Sequence, residues 1–137
     1  MFYAENQGVC LWATDRVGDD PPVYVRAGES SASWREESSS LSAFLLGLLV
    51  LEATFGAPFG ASHDGLGAGE LARLTKRIRP LPIPPWATSG TRFFGSGGVI
   101  GFATRESEEH SVWLGAEDRA RFEPIEARLA DWPDVRF

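Results

Sequence analysis

Phe2-Tyr3-Ala4-Glu5-Asn6-Gln7-Gly8-Val9-Cys10-Leu11-Trp12-Ala13-Thr14-Asp15, followed closely by Asp19-Asp20-Pro21-Pro22-Val23-Tyr24-Val25, decides the fold class. Residues 2–5 and 9–14 read as an antiparallel strand pair turned by Asn6-Gln7-Gly8, where Gly8 supplies a positive φ. Val9, Leu11 and Ala13 point to one side of the second strand and Cys10, Trp12 and Thr14 to the other. Both sides carry apolar groups, as a central strand requires. Asp19-Asp20-Pro21-Pro22 is a turn, and because proline cannot continue a ladder the next strand begins at Val23 and runs to Arg26. Nothing in these strands is catalytic machinery.

Working outward, 28–33 reads as a loop of small polar residues and Trp34 as part of a short strand near 32–36. Ser38-Ser39-Ser40 offers N-caps for a helix over 41–55. Its apolar residues go nearly all the way round, which predicts burial on most sides. Gly47 costs this helix about 1 kcal/mol relative to alanine and suits close packing against a sheet. Residues 56–69, with five glycines, read as a flexible connection holding His63 and Asp64. A second helix is predicted over 68–78, with Leu71, Leu74 and Ile78 as its apolar stripe. The proline-rich strap Pro80-Leu81-Pro82-Ile83-Pro84-Pro85-Trp86 follows. Strands are then predicted at 91–95, 99–104 and 111–115, with Ser96-Gly97-Gly98 turning the first pair and 106–110 forming a polar turn. The tail over 117–132 has helical character, and Pro124 suits a helix start. The order predicts a single α+β domain over 1–137, a mainly antiparallel sheet with helices packed on one face.

Composition sets the limits on function. The 137 residues are 43% apolar with five Trp and nine Phe, enough for one cored domain. The net charge of −6 repels nucleic-acid phosphates and suits a basic protein partner, or simply solubility. A single cysteine, Cys10, cannot form an intramolecular disulfide and fits a reducing compartment. There is no basic, apolar leader pattern. The longest apolar run, Leu41 to Thr54, falls short of the roughly 20 residues that span a bilayer, so a cytoplasmic chain without a membrane segment is expected.

Few residues suggest chemistry. His63 beside Asp64 would have to serve as a general base oriented by a carboxylate, against the blander reading of an exposed loop histidine. His110 after Glu106, Glu108 and Glu109 would have to be part of a metal site, against the blander reading of a solvated acidic hairpin. Two histidines and one cysteine argue against zinc, and no cofactor is expected. Cys10 reads as a core thiol. Gly95-Ser96-Gly97-Gly98 lacks phosphate-loop spacing. The basic cluster Arg73, Lys76, Arg77 and Arg79 reads as a solvated helix face. Aromatics are better binding anchors, since Trp and Tyr bury large areas at low entropic cost.

In their order, several motifs resemble the SUKH superfamily, the immunity-like proteins that include the yeast cell-wall-synthesis regulators. They are Tyr3-Ala4-Glu5-Asn6-Gln7-Gly8-Val9 with its tryptophan strand, Asp20-Pro21-Pro22-Val23-Tyr24-Val25, and Leu41-Ser42-Ala43-Phe44-Leu45-Leu46 with Trp34 upstream. Pro80 to Trp86, Arg92-Phe93-Phe94 and Ser111-Val112-Trp113-Leu114-Gly115 complete the set. The resemblance implies a non-catalytic scaffold that blocks a bacterial toxin domain by direct binding. Family members usually begin with a helical segment, whereas here the strand motif starts at residue 2, so the domain reads as N-terminally short. A missing layer would expose one side of the 41–55 helix or a sheet face, and a homodimer is one expected outcome. The expected partner-binding residues are Asp15, Asp19, Asp20, Tyr24, Trp34, Glu36, Glu37 and Trp86. The alternatives are a self-assembling regulatory or structural subunit, and a small hydrolase using His63 or His110.

Overall fold

The structure, a computed structural model, describes residues 3–4, 10–15, 17–27 and 33–129. The turn expected at 6–8, most of the loop at 28–33 and the end of the 117–132 tail lie outside those residues. The antiparallel strands form two sheets. The first contains β1 (Tyr3–Ala4), β2 (Cys10–Thr14), β3 (Val23–Ala27) and β4 (Arg35–Ser38) in sequential order. The second has the order β5-β8-β7-β6, from β5 (Phe59–Leu66), β6 (Arg92–Ser96), β7 (Val99–Glu106) and β8 (Glu109–Ala116). Three helices, α1 (Leu41–Phe55), α2 (Ala68–Thr75) and α3 (Arg119–Leu129), complete the α+β fold.

Alternation along the second sheet builds two cores. Phe94, Ala103, Val112 and Leu114 face α2, the turn that follows it and α3, where Leu71, Leu74, Ile78, Phe122 and Leu129 cover them. Phe93, Phe102 and Trp113 face the other way, toward Phe44 of α1, Trp86 of the strap, and Trp12, Val23 and Val25 of the first sheet. Thus α2 and α3 share one face of the second sheet, and α1 lies on the opposite face with the first sheet.

The 56–69 stretch is mostly strand, a correction to the loop expected there. Its glycines serve packing. A Cβ on Gly60 would sit 2.8 Å from the Leu114 carbonyl oxygen, so glycine lets β5 lie tight on β8. Gly65, at φ +80, falls where the register shifts between His63 and Leu66. Similarly, β4 begins at Arg35, just after Trp34, and continues to Ser38. Its buried residues, Glu37 and Ser38, are polar and hide it from a hydrophobic reading. The expected 106–110 turn contracts to Ser107 and Glu108, because Glu106 and Glu109 already pair.

α2 ends at Thr75, sooner than predicted, and the chain leaves in a tight turn in which Arg77 and Ile78 both donate to the Leu74 carbonyl. At its start the Glu70 carboxylate accepts from the Gly67 amide at 3.0 Å. Pro124 lies inside α3 rather than at its start. The Asp118 carboxylate caps that helix by accepting from the Ala120 amide at 2.8 Å.

Candidate functional site

α1 carries a row of exposed large apolar side chains. Ser40 caps its N-terminus, its hydroxyl accepting from the Ala43 amide at 3.2 Å. Asp20, in the β2–β3 loop, adds a second cap. Its carboxylate accepts from the Ser42 amide at 2.7 Å and from the Ser42 hydroxyl at 2.6 Å. These Ser42 bonds, the hydroxyl first, hold the Asp20 carboxyl below its ordinary value. The helix inner face presents Phe44, Gly47 and Thr54 to the core. A Cβ on Gly47 would fall 2.6 Å from Phe93 Cζ, so glycine is what allows the helix to sit this low on the sheet.

The opposite face is bare, which overturns the expectation that the helix is buried on most sides. Leu45, Leu46 and Leu49 are 46%, 53% and 64% exposed, and Phe55, at the helix end, 59%. Leucines at i, i+1 and i+4 form one stripe, continued a turn later by exposed Ala53 and Glu52. Phe55 is held edge-on against Phe102 and Trp113, at 5.4 and 6.4 Å between ring centroids. Asp19 and Asp20 lie at the N-terminal end of the stripe, brought there by the Asp20–Ser42 bonds. The sequence suggested that one side of this helix, or a sheet face, is exposed, but named none of the residues that form the stripe. The available signal was Gly47: on a helix apolar all round, the glycine marks the face that touches the sheet and leaves Leu45, Leu46 and Leu49 opposite.

The expected binding residues divide into three groups. Asp15, Asp19 and Asp20 are exposed in or beside the β2–β3 loop. Tyr24, Trp34 and Glu36 come together on the outward side of the first sheet: Glu36 pairs in register with half-buried Tyr24, and the Arg26 guanidinium sits 4.9 Å from the centre of the Trp34 ring. Glu37 and Trp86 are corrections. Glu37 is buried, and its carboxylate accepts from the Thr88 amide at 3.0 Å and the Ser89 hydroxyl at 3.2 Å. Trp86 is a core residue stacked on Phe44 and packed near Trp12 and Phe93.

His63 and His110 lie on the neighbouring strands β5 and β8 rather than in loops. His63 sits opposite Val112, and its Nδ1 contacts the Asp64 carbonyl oxygen. Among the described residues no group of three His, Cys, Asp or Glu side chains could hold a metal ion, and no helix is long and apolar enough to cross a membrane. No family model, curated protein or solved structure matches the chain.

Proposed function

We propose that this chain is a non-catalytic protein-binding module whose docking surface is the outer face of α1. The bare leucine stripe carries the reading, because an apolar helix face in water is stabilised when a partner covers it. Asp20, with Asp19 beside it, borders the stripe's N-terminal end, and the pair favours a partner that sets basic groups beside an apolar patch. The resemblance to SUKH proteins supplies the finer reading: an immunity protein that occludes the active or docking face of a bacterial toxin domain.

Capture from a lysate of the source cell, with tagged wild type and with Leu45→Ser/Leu49→Ser, tests the proposal. One abundant partner, retained by wild type, lost by the double variant and weakened at high salt, is the expected result. A partner captured equally by both proteins overturns the helix-face assignment. Capture of only the chain itself, with a dimer in sedimentation that the double variant abolishes, replaces a foreign partner with a second copy.

A further inference from the structure

On the face of the second sheet opposite α1, a groove of about 620 Å³ opens between α2, the proline strap and the ends of β6, β7 and β8. Its size lies in the range of small-molecule sites, and its walls are mostly apolar, with Leu71 from α2 and Phe94 from β6 among them. Arg92, Arg105 and His110 bring basic groups to it from three adjacent strands. Arg105 stands directly opposite His110, and Arg92 stands opposite Ala103, two residues along β7 from Arg105. Directly opposed residues sit about 5 Å apart and diagonal ones about 7–8 Å, so one small anion can lie within reach of both guanidiniums.

Both arginines are left unneutralised. No carboxylate among the described residues lies within ion-pair distance of either, and the ion pairs that do form belong to Arg119 on α3. Arg105 is steered by its Nε, which donates to the Ser107 carbonyl at 2.9 Å and leaves its terminal nitrogens available. The His110 Nδ1 is buried without a hydrogen-bond partner among the described residues. The one acid in the lining, Glu108, is an exposed residue of the β7–β8 turn. In a chain of net charge −6, a paired cationic spot over an apolar floor is a selective feature.

We propose that this groove binds a small organic anion, a carboxylate carried on a flat apolar body. The carboxylate lies between Arg92 and Arg105, and the body rests on the accessible apolar lining, Ala72 of α2 and Pro80, Leu81 and Ile83 of the strap. Guanidinium pairs suit this group because each offers parallel N–H donors to two oxygens.

The test titrates the full chain with 2-naphthoate, followed by amide chemical shifts, beside the neutral naphthalene-2-carboxamide. Saturable binding of the carboxylate is expected, with shifts centred on β6, β7 and α2. The carboxamide and the Arg92→Gln/Arg105→Gln variant are each expected to weaken it about tenfold, the worth of a charge-assisted hydrogen bond. Glu108→Gln should tighten binding, and Leu45→Ser/Leu49→Ser should leave it unchanged, which separates this groove from the α1 face. Both arginines are exposed, and thermal melts verify that the variants remain folded. Absence of saturable binding, equal binding of the carboxamide, or loss through the leucine variant instead of the arginine variant each overturns the proposal.

Discussion

Phe44 and Trp86 lie face to face, with ring centroids 4.9 Å apart and planes 17° from parallel. Through this contact the proline strap is locked beneath α1. Phe44 is fully buried and Trp86 is 5% exposed. Either residue changed to alanine should cost about 3–5 kcal/mol, read as a shift in the urea midpoint. Trp34→Ala, on the surface, should cost much less, and equal costs would contradict the core assignment of Trp86.

Gly47→Ala sets two known effects against each other. Alanine gains about 1 kcal/mol of helix propensity. The new methyl would meet Phe93 and Trp86, both buried rings with little room to yield, and such overpacking costs about 1–3 kcal/mol. Net destabilisation is expected. A raised melting temperature would show that α1 can lift off the sheet cheaply.

Glu37 ties the strap to β4 and, through a chain of hydroxyls, to β7. Ser89 donates to it, Ser89 and Thr91 share a bond at 2.7 Å, and Thr91 reaches Thr104 at 3.2 Å. Glu37→Ala strands the Thr88 amide and should cost about 2 kcal/mol by equilibrium unfolding. Amide exchange at Thr88 should speed up in the same variant.

Asp20 gives α1 a pH-dependent cap. Its folded-state pKa is lowered from 3.8 by the Ser42 hydroxyl and amide bonds. The stability it contributes is therefore fully present above that ordinary value and is lost as pH falls through the lower folded value. Melting temperatures of wild type and Asp20→Ala should differ at neutral pH and converge as pH falls through the lowered folded-state value. A gap independent of pH would mean that the carboxylate charge adds nothing to the cap.

Ser107 stands at φ 60 in the two-residue turn between β7 and β8, a conformation that favours glycine. Ser107→Gly should stabilise the chain by about 0.5–1 kcal/mol, measured by thermal unfolding.

The helix at Leu41–Phe55 and the α+β class were legible because an apolar run of helical length followed the serine caps, and the β6–β7 hairpin because Gly97 and Gly98 announced it. β5 was not legible. Its glycines satisfy a close approach to β8 that only the partner strand reveals, so locally they read as a loop. Glu37 misled in the same way, since its partners, Thr88 and Ser89, lie about fifty residues downstream. The leucine stripe was visible as composition but not as a face. A helix apolar on every side does not say which side the sheet takes, and the arginine pair of the groove depends on strand register, which the sequence does not print.

α1 separates two kinds of constraint along one element. Toward the sheet, Gly47 and Phe44 admit almost no substitution, because ring edges and a stacked indole fill the space around them. Toward solvent, Leu45, Leu46 and Leu49 hold nothing in place, so changes there leave the backbone where it is. Under the proposed docking role, related chains would change partner through three exposed positions while inheriting one unaltered scaffold.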